Sequence, residues 1–239
     1  MKVLQLIFSI FFLFSVPLNA QWTSFDLSNI NTEEFEKQVA PLLKTTSILI
    51  NRHFFNQINE NGRFNLGVSY SQGISLTGES QSSELICGYP NVAGSVVITD
   101  NLLLKGNMST FKSNNDIVQS FAYGFGLNLT NREKNNWRSS VLFSQLRGPD
   151  DIKIRSMDAA IINEFEVGKV SLFAGFGLNS YNAKILINTS DSIPRSIKDN
   201  ANHLLFGAQL NTGRIIIVPI LQVNFDVVII SIEISRAFK

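Results

Sequence analysis

Charge is what this sequence has least of. Of 239 residues only 16% are Asp, Glu, Lys or Arg, against roughly 25% in an ordinary soluble protein. The 20 basic and 19 acidic residues nearly cancel to a net charge of +1. That leaves no electrostatic footprint for DNA, RNA or an anionic membrane surface. A single cysteine, Cys87, excludes an intramolecular disulfide and a thiolate cluster for a metal. With two histidines, His53 and His203, imidazole chemistry is confined to two places. The chain has no Gly-x-Ser-x-Gly elbow, no His-Glu-x-x-His, no phosphate loop and no dinucleotide fingerprint. What replaces charge is Asn, Ser and Gly beside a 44% hydrophobic content, a composition unlike that of a disordered acidic chain or a coiled coil.

The first apolar run stands at the N-terminus. Lys2 is followed by Val3 to Val16, rich in Phe, Ile and Leu, and then by Pro17-Leu18-Asn19-Ala20. A short positive start, an apolar stretch and a small residue after a helix breaker make a secretory signal peptide over residues 1–20, cleaved after Ala20. The run is shorter than the ~20 residues of a spanning helix, and no Cys at the cleavage site points to a lipoprotein.

Residues 21–60 read as a separate N-terminal segment. Asn31 caps a helix with Glu34 answering it in a capping box, and Glu33, Glu34 and Glu36 suit the first turn. Pro41 is expected to end or kink that helix near Ala40. From Thr45 to Ile58 the pattern is ambiguous between strand, as for Ile48-Leu49-Ile50, and helix.

Over 61–239 the hydrophobic period is two. In Phe121-Ala122-Tyr123-Gly124-Phe125-Gly126-Leu127-Asn128-Leu129 every large residue has one parity and every small one the other. The runs Phe64–Tyr70, Val170–Leu178, Leu204–Leu210 and Leu221–Val227 repeat the pattern between turn-rich stretches, giving about ten strands. A soluble sandwich or lipocalin-like binding protein also alternates, but with charge on its second face. Here that face is Gly, Ser, Asn, Ala and Gln, which suits a lumen, while the bulky face suits lipid. The expected fold is mainly β: a closed antiparallel transmembrane barrel of about ten strands with a short N-terminal helix. The apolar stretch Ile215 to Ile232 fits this as a hairpin, because as a helix it would leave Pro219, Gln222, Asn224 and Asp226 in hydrocarbon. The strand pattern puts Gln222, Asn224 and Asp226 on one face. Trp22, Tyr70, Tyr89, Trp137, Tyr181 and Phe238 fall near expected strand ends, where a headgroup girdle forms.

The last strand, Ile230-Ser231-Ile232-Glu233-Ile234-Ser235-Arg236-Ala237-Phe238-Lys239, resembles the C-terminal signal of Gram-negative outer-membrane barrels, with Lys239 after the aromatic and Arg236 on the apolar parity as departures. The layout of helix to Pro41-Leu42-Leu43, then Asn51-Arg52-His53-Phe54-Phe55, Phe64-Asn65-Leu66-Gly67-Val68 and Tyr123-Gly124-Phe125-Gly126-Leu127 is similar to outer-membrane barrels with an N-terminal helical region. The resemblance implies a lipid-embedded barrel in the bacterial outer membrane, put there by the barrel-assembly machinery. The helical segment is also similar to the N-terminal hatch of long-chain fatty-acid transporters, by analogy.

No residue is assigned a catalytic, cofactor-binding or metal-binding role. His203 with Ser192 or Ser196 fits a rim general base of a hydrolase or acyltransferase, and His53 is the other choice. The plainer reading of each is a solvated histidine at a strand end. Asp150, Asp151 and Asp158 lack regular calcium-ligand spacing. The triplets at Asn107, Asn128 and Asn188 match the glycosylation pattern by chance. Cys87 reads as a small buried or loop thiol. The expected role is a narrow channel, a small apolar-ligand transporter or a scaffold, without catalysis.

Overall fold

A computed structural model describes residues 25, 39–54, 63–76, 88–113, 116–130, 136–168, 170–186, 193–213 and 215–238. The expected signal peptide, the Asn31/Glu34 capping box, Trp22, Cys87, Asn188, Ser192 and Lys239 lie outside them. Helix α1 spans Ala40–Ile50. Eleven strands follow: β1 Phe64–Ser75, β2 Tyr89–Val97, β3 Leu102–Ser113, β4 Asp116–Asn128, β5 Asn136–Arg147, β6 Ile152–Val167, β7 Val170–Ile185, β8 Ser196–Asn200, β9 His203–Asn211, β10 Ile216–Val223 and β11 Val227–Phe238.

The strands form a closed antiparallel barrel. Strand β1 pairs with β2 on one side and along its whole length with β11 on the other, from Phe64 opposite Phe238 to Ser75 opposite Val227. Hairpin pairing continues through β6 and β7, and β7 passes to β9, β10 and back to β11. Strand β8 pairs with Ser180–Lys184 of β7, whereas β9 pairs with Val170–Gly177 of the same edge. The two share one position in the ring, interrupted at Ala201, whose N–H reaches Asn179 O at 2.9 Å. The ring therefore has ten positions, as expected from the sequence. Closure leaves no open edge that lipid would have to satisfy.

The two faces are inverted relative to a soluble barrel. Phe121, Tyr123 and Phe125 are 41%, 62% and 39% exposed on the outside, and Ala122 of the same strand is buried. Val68, Leu104, Met108, Phe143, Met157, Ile161, Phe176, Leu178 and Phe206 continue this outward apolar surface around the ring. Inward, Ser69, Ser95, Asn107, Ser120, Ser140, Asp158, Asn179 and Glu233 are buried. A band of large apolar side chains outside and hydrogen-bonding groups inside is the arrangement of a membrane-spanning barrel. Arg236, a departure from the apolar parity, lies at the strand end with its guanidinium 5.4 Å from the Phe238 ring.

Several local expectations are corrected. Pro41 occupies the first turn of α1, where its missing N–H costs nothing; the preceding helix it was expected to end near Ala40 lies outside the described residues. Ile48 to Ile50 are helical. Tyr89 and Tyr181 are buried inside the barrel, so they are no part of an outer girdle. Gln222 faces the lumen, but Asn224, Phe225 and Asp226 form the β10–β11 turn, with Phe225 96% exposed. The turn resets the parity, so the expected shared face of Gln222, Asn224 and Asp226 does not exist.

Candidate functional site

The lumen is filled by the chain's own helix. The rim carrying Phe64 and Phe238 is termed the near rim, and the one carrying the Asp226 turn the far rim. Near the far rim, Val39, Leu43, Ile48 and Ile50 pack with Phe25 against Tyr89, Val118, Leu146, Ile152, Ile154, Ile185 and Val227. These wall residues sit at the far-rim ends of six strands, so the strands and the helix share one apolar core. The Tyr89 ring meets Phe111 edge-on at 5.3 Å, and its hydroxyl donates to Ser120 Oγ at 2.6 Å. At the mouth Lys44 Nζ donates to Asp226 Oδ2 at 2.6 Å and lies 3.7 Å from Asp199. The hydrogen bond to Asp226, aided by that carboxylate's field, holds the Lys44 pKa above the ordinary lysine value despite partial burial.

Toward the near rim the packing becomes polar. A helix end leaves carbonyls without partners, and here the barrel wall supplies them. Ser47 O accepts from Asn179 Nδ2 and Ser156 Oγ, each at 3.2 Å, and from Asn51 Nδ2 at 3.1 Å. After α1 the chain runs on as Asn51-Arg52-His53-Phe54, with Asn51 and His53 turned to one side of the barrel and Arg52 and Phe54 to β1. Asn51 donates to Ser156 on β6 and Arg52 Nη1 to Ser71 on β1. Asn107 on β3 donates to the Arg52 carbonyl at 3.0 Å. The Phe54 ring lies where a Cβ on Gly67 would stand, 2.9 Å from it, which requires glycine there.

His53 bridges two strands. Its Nε2 is 2.7 Å from Asp158 Oδ1 on β6, and its Nδ1 is 2.7 Å from Ser140 Oγ on β5. Asn179 Nδ2 donates to the other Asp158 oxygen at 3.0 Å. With Nε2–H donating to the carboxylate, Nδ1 accepts the Ser140 hydroxyl proton. This is a hydroxyl–imidazole–carboxylate chain, the order that nucleophilic catalysis uses. All three side chains are buried, and His53 itself lies on Ser140.

The sequence's candidates are placed differently from expectation. His203 is not on a solvated rim, and among the described residues it is not paired with a serine. It is 2% exposed, its Nδ1 is 3.2 Å from Ala201 O and 3.9 Å from Asp158 Oδ2, and its ring lies over Gly177, where a Cβ would come within 2.4 Å. Ser196 instead donates to Asn182 on the exposed surface. Asp158 is separated from the Asp150-Asp151 turn and faces the lumen, and the described residues contain no cluster of metal-ligating side chains. The sequence reading passed over Arg52, Ser140 and Asn179. For Ser140 and Asn179 the one signal was a polar side chain on the small parity of an otherwise apolar strand; Arg52, in the segment after α1, had none.

No protein-family model matches the chain, and no characterised protein matches it in sequence. Solved structures similar to it are outer-membrane β-barrel proteins of Gram-negative bacteria. The translocator domain of the autotransporter NalP from Neisseria meningitidis is 10% identical, covering 87% of this chain and 97% of that one at a TM-score of 0.41. An outer membrane channel from Pseudomonas putida F1 is 13% identical over 78% of this chain and 100% of that one, at 0.45. LpxR from Salmonella typhimurium is 9% identical over 73% and 100%, at 0.36. These overlaps are loose, and it is the barrel's own inverted faces that mark it as membrane-spanning.

Proposed function

We propose that this is a bacterial outer-membrane barrel whose N-terminal segment is a resident plug, and that it passes small molecules when the plug shifts, without catalysis. The observation carrying this reading is the Asn51–Phe54 strap, hydrogen-bonded to β1, β3, β5 and β6 across the lumen. A ten-position ring is only slightly wider than one that side chains alone fill, so a strap of this kind closes it. In this reading residues 1–20 are a signal peptide removed after Ala20, 21–60 the plug and 61–239 the barrel. The β11 strand ending at Phe238 is then what the assembly machinery reads. Mass spectrometry of the mature protein from outer-membrane fractions tests processing and location together.

Planar-bilayer recording tests the passage. Asn51→Cys with Ser156→Cys, in a Cys87→Ser background, joins plug to wall. Oxidation is expected to abolish conductance and reduction to restore it. Conductance indifferent to the crosslink sinks the plug reading.

A second reading is favoured by the Ser140–His53–Asp158 chain: an acyl hydrolase in the lumen, with Ser140 as nucleophile and His53 as base in place of the rim His203. Ester hydrolysis lost in Ser140→Ala, with the fold retained, would establish it.

A further inference from the structure

Arg52 is pinned at one end only. Its Nη1 donates to Ser71 Oγ, and that oxygen also accepts from Ser231 Oγ at 2.9 Å. Its other two nitrogens, Nε and Nη2, have no hydrogen-bond partner among the described residues, although the residue is 3% exposed. Those two N–H groups point the same way and form one edge of the guanidinium, the edge that matches the two oxygens of a carboxylate.

The surroundings repeat the pattern. Among the described residues, both amide atoms of Asn91, Oδ1 of Asn107 and Oγ of Ser69 are likewise buried without partners. Ser69 stands directly across from Asn91 on β2 and from Glu233 on β11, one inward step from Ser71.

We propose that the free edge of Arg52, with Asn91 and Ser69 beside its anchor on the wall, binds the carboxylate of a small organic acid inside the lumen. A planar carboxylate fits the fork. This rests on the reading of the lumen as a passage and names the chemistry of its cargo.

The test uses the full-length protein in detergent, titrated with butanoate and with uncharged butanamide by calorimetry. Butanoate is expected to bind saturably and butanamide about tenfold more weakly or worse. Arg52→Lys keeps the charge but loses the fork, and is expected to weaken butanoate about tenfold. Asn91→Asp leaves Arg52 and its anchor intact and sets a negative charge beside the edge, with the same expected loss; it decides the matter if Arg52→Lys does not fold. Equal affinity for acid and amide, unchanged butanoate binding in the folded variants, or no binding to the native protein overturns the site. Arg52-dependent binding by a protein that never conducts in bilayers sinks the passage and leaves the site. Conductance in a protein that shows no Arg52-dependent butanoate binding sinks the site and leaves the passage.

Discussion

The two halves of the lumen solve the same problem with opposite chemistry. Toward the far rim, the plug meets the wall as the core of a soluble protein would, with Leu43 and Ile50 against Leu146, Ile152 and Ile154. Toward the near rim it meets the wall through Asn51, Arg52 and His53, each answered by a strand side chain. Apolar packing is non-directional and tolerates sliding. The hydrogen-bonded half fixes one register, because each buried polar group left unmatched costs its full desolvation. The far half thus seals and the near half positions.

The largest expected effect lies in the polar half. Asp158→Ala leaves the His53 and Asn179 donors without their shared acceptor and is expected to cost about 3–5 kcal/mol, at about 1–3 kcal/mol for each buried donor left unmatched. Urea unfolding in lipid vesicles measures it. A His53→Ala background that removes most of the loss would show that the two residues act as one unit. Leu43→Ala in the apolar half is expected to cost about 3 kcal/mol through lost burial and a cavity. Here the fold and register should survive, with crosslinking between positions 51 and 156 unchanged.

The outside supplies a contrast of its own. Phe125→Arg puts a charge on the lipid face at a cost of about 2 kcal/mol. Gly126→Ser is expected to be nearly silent, because a Cβ there meets only the movable end of Lys105, with Cε at 2.9 Å. Cysteine labelling sharpens the pair: position 125 should react with lipid-soluble probes and position 126 should not. Labelling of 125 by aqueous reagents alone would contradict the membrane face.

The smallest expected effect is at the mouth. Because Asp226 raises the Lys44 pKa, the pair's contribution is complete below the ordinary lysine value. It fades as pH rises through the raised one, in strongly alkaline solution above about 10.5. The pair is partly exposed, so the loss is under about 1 kcal/mol. Lys44→Met should remove that alkaline slope from the unfolding curve and change little at neutral pH.

The sequence by itself determined the strands and their faces. A period of two with Phe, Tyr and Leu on one parity and Gly, Ser and Asn on the other fixes which side is which, since slipping one residue would move every side chain to the wrong solvent. Low charge and the alternating Ile230–Phe238 run made the barrel legible as well. The turn at Asn224–Asp226 was less so, because no glycine marks it and parity alone cannot show where it resets.

What only the tertiary structure decided is the interior. Pro41 reads locally as a breaker and Ile48-Leu49-Ile50 as a possible strand. Both become helical because a helix inside a ring finds apolar wall on every side and strand side chains to take its last carbonyls. His53, Ser140 and Asp158 are far apart in the chain, and no local spacing marks them as partners. They meet because β5 and β6 pair with Ser140 opposite Ala160, one inward step from Asp158, and the strap lays an imidazole between them. Side-chain type reports which solvent a residue prefers, whereas the closing of the ring sets which residues share the space inside it.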